Sequence, residues 1–407
     1  MKTQRTHMLG VAALFVIGLA SPLVGCGGND SGDDGSGADG SGANGSGAGS
    51  GAGSSTGGSN ATGTGAGNPD CPPPMNDEPE PTPSVDHIGG VTVSTLAGSD
   101  AAGSTDGTGA AATFDNPVNV VVNPNGNLTV ADFEQGMIRT VTPEGNVTTA
   151  MSDQTGFARP FGLDYSANGT LHVGTDTNTD ANNSSGMGSL WTVDTSVGNA
   201  SLVFEEIGRP RGLAFAGDTL FMSHPPHHAV QAFDGNELVD LAGQWNCPGF
   251  ADGTGSEARF YIPYDVDRLP NGDLVLVDAG NHSIRLVTPD GAVSTLAGTG
   301  NPGMVDGGLA TAQFKAPRAV AVGDDGMIYV SDLGNHRIRR IDVDGNVVQT
   351  LAGDGTPGFA DGAGESARFF GQEGMDLSPD GTLLYVADGT EGKVGEPFNR
   401  IRVIALP

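Results

Sequence analysis

The sequence predicts an all-β protein, a six-bladed β-propeller preceded by a signal peptide and a disordered tether. Three observations support this fold class. A unit with a period of 44–56 residues recurs after residue 87, and each copy holds four short β-type runs between turns. Glycine, 67 of 407 residues, falls in those turns and in one N-terminal tract. The glycine excess is therefore explained by turn chemistry and by a linker.

The repeat is clearest in its last three copies. Each begins with Leu-Ala-Gly, continues with Asp-Gly, and has a Phe eight residues after that Asp. A β-type run that ends in Asp comes next, with Gly, Asn and Asp in the turns around it. The residues with the eight-residue spacing are Asp106 and Phe114, Asp252 and Phe260, Asp306 and Phe314, and Asp361 and Phe369. Four antiparallel strands per unit are typical of a propeller blade.

We count six blades, and the last one stops a strand short of completion. Val91–Gly98 matches the outermost strand Ala292–Gly298 of the fourth unit, so we predict that this N-terminal strand closes the last blade and removes the open sheet edges. A β-sandwich would not account for the regular spacing. The innermost strands are predicted to begin near Val118, Phe161, Arg211, Tyr264, Arg318 and Glu373.

Residues 1–25 are predicted to be a targeting segment. Lys2 and Arg5 precede the apolar run Met8–Ala20, which is too short to span a bilayer. The tetrapeptide that ends at Cys26 resembles the lipobox of bacterial lipoproteins. That resemblance implies cleavage before Cys26, acylation of its sulfur with palmitate-like chains, and attachment to the cell envelope. Gly27 after the cysteine implies the outer membrane of a Gram-negative bacterium, and an ordinary secretory signal is the alternative.

Residues 26–86 are predicted to be a flexible Gly/Ser/Pro-rich tether, and residues 87–407 the propeller. From Gly27 to Asp70 the chain has 17 Gly in 44 residues, which cannot bury enough apolar surface to offset chain entropy. Cys71 lies in the tether and Cys247 in a long loop between blades. Disulfides persist outside the cytoplasm, so these two cysteines are the candidate pair for a disulfide that joins the tether to the propeller.

The charge balance excludes two classes of partner. The chain has 18 basic and 48 acidic side chains, and the part after residue 87 keeps a net charge of −23. Nucleic acids and anionic lipid surfaces are attracted by the opposite sign, so we expect neither as a partner of the propeller. The membrane partner would be reached through Cys26 alone, and we expect a monomer.

The motif Asp278-x-x-Asn281-His282-x-Ile284-Arg285 resembles NHL repeats, which form six-bladed β-propellers. The fifth unit has the same motif at Asp332, Asn335 and His336. The second unit departs from it with the insertion Asn178–Gly188, and the third at His224–His228. Members of this family are mostly interaction platforms and some relatives are enzymes, so the resemblance implies the fold more firmly than the chemistry.

The recurring polar residues are interpreted as blade architecture. The Asp at the end of each second strand is expected to accept backbone N–H bonds or to pair with an Arg of the next strand. His282 and His336 are interpreted as satisfied turn residues. The Asp of each inter-blade loop is expected to cap a helical turn, and the following Phe to pack between blades. Calcium, or another divalent cation, is the alternative for these loops. The Asp residues at the ends of the second strands are Asp132, Asp278, Asp332 and Asp388, and their Arg partners are Arg139, Arg285, Arg339 and Arg402.

Chemistry specific to this protein is expected where the blades differ, at the mouth of the central channel. The candidate ligand-binding residues there mix two cations, two aromatic rings and one carboxylate. Arginine suits carboxylate or phosphate groups, and aromatic rings supply contact area. Pairing of both arginines with acids of the rim is the structural alternative. The candidates are Phe161, Arg211, Tyr264, Arg318 and Glu373.

The sequence favours a binding or scaffolding module over an enzyme. After residue 87 it holds no G-x-S-x-G, H-E-x-x-H or paired-carboxylate motif, so we expect no catalytic residues and no cofactor. The predicted partner is a protein or a small molecule that contacts the loop-rich channel face. A metal-dependent hydrolase or lactonase resembling gluconolactonase is the alternative, with Glu373, Asn119 and Asp265 near the mouth. His224, His227 and His228 are further candidate ligands for zinc or copper.

Overall fold

The computed structural model describes residues 83–152, 154–180, 187–393 and 396–407. They form six antiparallel sheets of four or five strands, and the predicted six-bladed β-propeller is confirmed. The helical segments among these residues are single 3-10 turns. Within this part of the chain, no helix has the length and apolar character needed to cross a membrane. The predicted signal peptide, Cys26, Cys71 and most of the tether lie outside the described residues.

The strands follow the blade order along the chain. In the first half they are β1 (Thr92–Ser99), β2 (Gly107–Thr108), β3 (Pro117–Val122), β4 (Leu128–Asp132), β5 (Met137–Val141), β6 (Asn146–Met151), β7 (Pro160–Tyr165), β8 (Leu171–Thr175), β9 (Ser189–Asp194), β10 (Asn199–Phe204), β11 (Gly212–Ala216), β12 (Thr219–His224), β13 (Ala229–Phe233) and β14 (Leu238–Gly243).

The second half continues with β15 (Gly253–Thr254), β16 (Pro263–Arg268), β17 (Leu274–Asp278), β18 (Ser283–Val287), β19 (Ala292–Ala297), β20 (Val320–Val322), β21 (Ile328–Asp332), β22 (Arg337–Asp342), β23 (Val347–Ala352), β24 (Gly362–Ala363), β25 (Gly371–Leu377), β26 (Leu383–Gly389) and β27 (Asn399–Ala405). The 3-10 turns are Gly109–Ala111, Pro225–His227, Gly255–Glu257, Ala279–Asn281, Leu333–Asn335 and Gly364–Ser366.

Each blade runs from an inner strand to an outer strand. Blades 1 to 5 begin with β3, β7, β11, β16 and β20, and blade 6 begins with β25. These inner strands start within a few residues of the predicted positions. Gly and Asn occupy the hairpin turns as the repeat pattern indicates. In blade 5, Gly326 (φ 82°) and Asn346 (φ 52°) take the left-handed conformation that such turns require.

The N-terminal strand closes the ring as predicted. β1 lies in blade 6 between β24 and β27, and it pairs with β27 from Thr92 opposite Ala405 to Ser99 opposite Asn399. Contacts with the propeller begin earlier than residue 87. Ser84 forms a parallel bridge with Val305 of the loop before blade 5. The residues just before β1 therefore run along the edge of blade 5 before the chain enters blade 6.

The hydrophobic core lies between neighbouring blades, and the repeated Phe residues occupy equivalent buried positions in it. Phe114, Phe260, Phe314 and Phe369 are all fully buried. Phe260, for example, packs with Phe221 and Val230 of blade 3 and with Val266 of blade 4. Burial of one such ring stabilises the fold by about 1.5–3 kcal/mol. The prediction that these rings pack between blades is confirmed.

The loop aspartates do not cap the 3-10 turns, and that prediction is wrong. None of the turns that follow them has a side-chain cap. Instead, Arg285 donates to the loop residue Asp252 and to Asp278 of its own blade, both at 2.7 Å, and also to the carbonyls of Ala251 and Arg259. The guanidinium attracts the loop carboxylate more strongly than a neutral N–H group does. Arg139, Arg339 and Arg402 form the same contacts in blades 1, 5 and 6.

Candidate functional site at the channel mouth

The structure brings the predicted mouth residues together. Each lies within two residues of the start of an inner strand, so their side chains converge on the channel axis. The rings of Phe161 and Tyr264 meet edge to face with centroids 5.7 Å apart. The Tyr264 hydroxyl donates to Glu373 Oε1 at 2.9 Å. Blades 2, 4 and 6 are thus linked across the channel, and the mouth is filled by side chains.

Arg211 is held in place by a buried partner. Its Nε donates to Asp176 Oδ1 at 3.1 Å, its Nη2 to Asp176 Oδ2, and its Nη1 to the Tyr264 hydroxyl at 2.9 Å. The Asp176 side chain is only 4% exposed. A planar, bidentate pair of this kind orients the guanidinium and leaves it little capacity for another ligand. Asp176 lies two residues before the insertion Asn178–Gly188 of the second unit, and the sequence did not identify it as this partner.

Arg318 lies in a different environment. Its guanidinium carbon stands 4.2 Å from the centre of the Tyr264 ring, in cation–π geometry. Within the described residues, we find no hydrogen bond from this guanidinium, and its Nε is buried without a partner. The structure therefore separates two arginines that the sequence treated alike. One is bound to a carboxylate, and the other retains donors for a ligand.

Glu373 lies between these cations and carries the opposite charge. Burial raises the pKa of Glu373, while the charges of Arg318 and Arg211 act in the opposite direction. The net charge of the mouth is close to zero, because the two arginines are balanced by the carboxylates of Asp176 and Glu373. An anionic ligand at Arg318 would therefore not meet the full acidic field of the protein.

Below the mouth, carboxylates join neighbouring inner strands. Asp164 accepts from the backbone N–H of Phe215, Asp267 from that of Val322, and Asp376 from that of Val122. Blades 2, 4 and 6 thereby hold blades 3, 5 and 1. Sequence reasoning missed this role, although each Asp lies three residues after a mouth position.

These aspartates lie along the channel wall, where the charged form is disfavoured. Burial raises the pKa of Asp164 to about 8 and that of Asp376 to about 7. Asp267 and Asp376 add to the effect on Asp164 through like-charge repulsion. Asp265 has the same character, because burial raises its pKa to about 8.

The three residues of the lactonase alternative already accept hydrogen bonds within the protein. Asp265 accepts from Val320 and Val266, and Asn119 accepts from the N–H of Val120. The third residue, Glu373, accepts from Tyr264. Among the residues that the structure describes, no group of three or more His, Cys, Asp or Glu side chains is arranged to hold a metal ion. No observation therefore favours that alternative.

His228 occupies the position of the motif histidine and has a structural role there. It follows the 3-10 turn Pro225–His227 with φ 58°, just as His282 and His336 follow their turns with φ 51° and 50°. His228 Nδ1 accepts from the N–H of Ile262 at 3.2 Å, and His282 Nδ1 from the N–H of Ala316 at 3.0 Å. The third unit therefore retains the histidine of the motif. Counting backwards from β13 would have found it in the sequence.

His224 and His227 lie together in the interior of blade 3. His224 is fully buried, and His227 is 8% exposed. The ring of His227 stacks on Trp245 with centroids 4.3 Å apart, and that of His224 lies 5.4 Å from the same indole. Burial and the neighbouring His227 lower the pKa of His224 to about 3. Both of its ring nitrogens lack a hydrogen bond of good geometry.

Two further features lie away from the mouth. Cys247 is disulfide-bonded, and its predicted pairing with Cys71 stays a prediction because Cys71 is outside the described residues. At the opposite end of the channel, a groove of about 640 Å³ runs between the turns of blades 2 and 3, lined by His172, Phe215 and Phe233 among others. The sequence did not point to this groove.

Comparison with known proteins agrees with this architecture. A family model of the NHL repeat matches residues 314–341. The chain is 33% identical over 135 residues to NHL repeat-containing protein 2 of Bos taurus, a stretch of 31% of this chain and 18% of that protein. It is 38% identical over 96 residues to the Arabidopsis thaliana protein SUPPRESSOR OF QUENCHING 1, chloroplastic, or 23% and 9% of the two chains. The matched part thus spans less than a fifth of these relatives.

A solved structure shares the fold over most of its length. The auxiliary nutrient binding protein from Bacteroides ovatus ATCC 8483 superimposes with a TM-score of 0.60, covering 79% of this chain and 78% of that one at 18% identity. At this identity the likeness shows the fold alone. The repeat motif, the six closed blades and these relatives lead to one conclusion: the chain carries an NHL repeat at residues 314–341 and has the six-bladed β-propeller fold.

Proposed function

We propose that this protein is an extracytoplasmic binding module whose ligand contacts the channel mouth. The observation that carries the proposal is Arg318, whose guanidinium stacks on Tyr264 and makes no hydrogen bond within the described residues. Arginine donors beside an aromatic ring are suited to a carboxylate on a small, partly apolar ligand. Arg211, Asp176 and Glu373 form the rigid polar floor against which such a ligand would rest.

The ligand class follows from the size and charge of this site. The mouth is filled by side chains, so the ligand lies on the face above it and does not enter the channel. A single free guanidinium suits one carboxylate better than a polyanion, particularly in a protein with a net charge of −30. Sugar acids and peptide C-termini have this chemistry. Two structural neighbours described as auxiliary nutrient binding proteins support a small nutrient as ligand.

Matched probes test the proposal on the full-length protein. D-glucuronate and triglycine carry a carboxylate, whereas D-glucose and triglycine amide lack it. We expect at least one carboxylate probe to raise the melting temperature and its neutral counterpart to leave it unchanged, because a ligand that binds only the folded state stabilises it. Arg318→Ala should remove the shift.

The control is Arg268→Ala, which removes an exposed arginine at the far end of β16 and should keep the shift. A shift that survives Arg318→Ala would place the ligand elsewhere. The absence of any shift with both carboxylate probes would contradict the proposed ligand class.

We also propose that Cys26 anchors the protein in the outer membrane through acyl chains. Two acyl chains bind a bilayer stably, at about 0.8 kcal/mol per buried CH₂. The disulfide on Cys247 supports a location outside the cytoplasm. Cys26→Ala should move the protein from the membrane fraction to the soluble fraction, whereas Cys71→Ala should leave it membrane-bound. Membrane-bound Cys26→Ala protein would refute the anchor.

A further inference from the structure

The equivalent positions of blades 3, 4 and 5 carry different chemistry. In blade 4, Asp278 ends the second strand, Asn281 ends the following 3-10 turn, and Arg285 is the third residue of the next strand. Asp278 Oδ2 accepts from Asn281 Nδ2 at 2.8 Å and from Arg285 Nη1 at 2.7 Å. Blade 5 repeats these contacts with Asp332, Asn335 and Arg339. Side chains at the first two positions are therefore brought into direct contact by the blade itself.

Blade 3 replaces all three residues. His224 takes the place of the Asp, His227 that of the Asn, and Gln231 that of the Arg. The ion pair of the other blades becomes two neutral imidazoles and an amide. A methyl group placed on Gly208 would lie 3.1 Å from His224 Nδ1 and 3.1 Å from His227 Nε2, so these nitrogens are at most 6.2 Å apart.

The contact with Asn246 fixes the tautomer of His227. His227 Nδ1 lies 2.8 Å from Asn246 Oδ1, which can only accept, so the proton is on Nδ1 and Nε2 carries the lone pair. Among the described residues, neither ring nitrogen of His224 has a hydrogen-bond partner, and neither does His227 Nε2. Two buried histidines with unpartnered nitrogens therefore lie within 6.2 Å of each other.

We propose that His224 Nδ1 and His227 Nε2 bind one late first-row transition-metal ion, preferentially copper, beneath the indole of Trp245. Imidazole nitrogen suits copper and zinc, and affinity in such sites is highest for Cu²⁺ among the divalent ions. A histidine ligand whose other nitrogen donates to an oxygen is the usual arrangement around a metal, and His227 with Asn246 has it.

The proposed site lies beneath a partly exposed tryptophan. Trp245 is partly exposed and lies directly over His227, so the ion would be near the protein surface. Imidazole binds such ions at about 2.0–2.1 Å, which requires the two nitrogens to come within about 4 Å through small ring rotations. Water would complete the coordination. This site is on blade 3 and shares no residue with the proposed ligand site at Arg318.

The experiment titrates full-length protein, made without a histidine tag, with Cu²⁺, Zn²⁺ and Ca²⁺. We expect one equivalent of Cu²⁺ to bind, with nitrogen hyperfine lines in the electron paramagnetic resonance spectrum and quenching of Trp245 fluorescence. Zn²⁺ should compete and Ca²⁺ should not. The absence of stoichiometric Cu²⁺ binding by the wild-type protein would overturn the proposal, leaving a water molecule as the group that satisfies both nitrogens.

Variants locate the ion. His224→Ala and His227→Asn, which introduces the residue that blades 4 and 5 carry, should each weaken binding at least tenfold. His228→Asn is the matched control, because it alters the adjacent histidine and Asn also tolerates the left-handed conformation. Near-ultraviolet circular dichroism of each variant checks folding. Unchanged copper affinity in folded His224→Ala or His227→Asn protein would overturn the assignment.

Discussion

At the scale of single residues, the channel mouth shows how one residue type takes two roles. Arg211 is bound to the buried carboxylate of Asp176. Arg318 stacks on the ring of Tyr264, and its guanidinium N–H groups make no hydrogen bond within the described residues. Their sequence positions are equivalent in blades 3 and 5, so the sequence predicted a shared role. The difference arises from Asp176, which the divergent second blade supplies and which no repeat pattern marks.

This difference leads to the first prediction. Arg211→Ala should lower the free energy of unfolding by about 3–5 kcal/mol, because it leaves Asp176 buried and unpaired. Arg318→Ala should lower it by about 1 kcal/mol or less, since it removes one cation–π contact. Urea denaturation of both variants measures the two values. Equal losses would show that the two arginines share one structural role.

The histidines of blade 3 show a second limit of sequence reasoning at this scale. His224, His227 and His228 form one cluster in the sequence, but the backbone separates their roles. His228 has the left-handed turn conformation of His282 and His336, and only the other two face each other. The distance to β13 identifies His228 in the sequence, but the approach of His224 to His227 depends on the 3-10 turn between them.

At the scale of elements, the repeat made the strands highly predictable. Turn residues and the eight-residue spacing from Asp to Phe recur in several blades. A strand position that is ambiguous in one copy of the repeat is therefore assigned from the other copies. The function of the loop Asp was not predictable in the same way. Its partner is an Arg 33 residues away in blade 4, and such a contact depends on the tertiary structure. A local helix cap was the nearest explanation available from the sequence.

The closing strand gives the second prediction. Deletion of Val91–Gly98 removes β1 from between β24 and β27 and exposes the edge of β27. We expect a lower melting temperature and concentration-dependent self-association, because exposed edge strands pair with other chains. Differential scanning fluorimetry and light scattering measure the two effects. A monomeric deletion protein that melts like the wild type would contradict the role of β1.

At the scale of the whole molecule, acidic groups shape stability as well as solubility. The channel aspartates hold neighbouring inner strands, and their pKa values are raised by burial, to about 8 for Asp164 and Asp265. In the unfolded chain an aspartate titrates near pH 4. Between these values the folded protein binds more protons than the unfolded chain does.

The third prediction follows from that difference. The free energy of unfolding should decrease as the pH rises from about 4 to about 8, since deprotonation of these groups is favoured by unfolding. Asp164→Asn, which imitates the protonated side chain, should make the decrease smaller. Melting temperatures across this range, in a buffer series of constant ionic strength, provide the measurement. A stability that rises steadily to pH 8 in the wild type would contradict the role of these groups.

The route of the N-terminal segment determines how the molecule responds to tension. Ser84 bridges Val305 in the loop before blade 5, and the chain then enters blade 6 as β1. A force applied at residue 83 therefore acts first on the edge of blade 5 and afterwards on the ladder that joins β1 to β27. If the protein is held at a surface by its N-terminus, drag on the propeller pulls on the pairing of β1 with β27. The contacts of Ser84 with blade 5 then bear part of that force before it reaches β1.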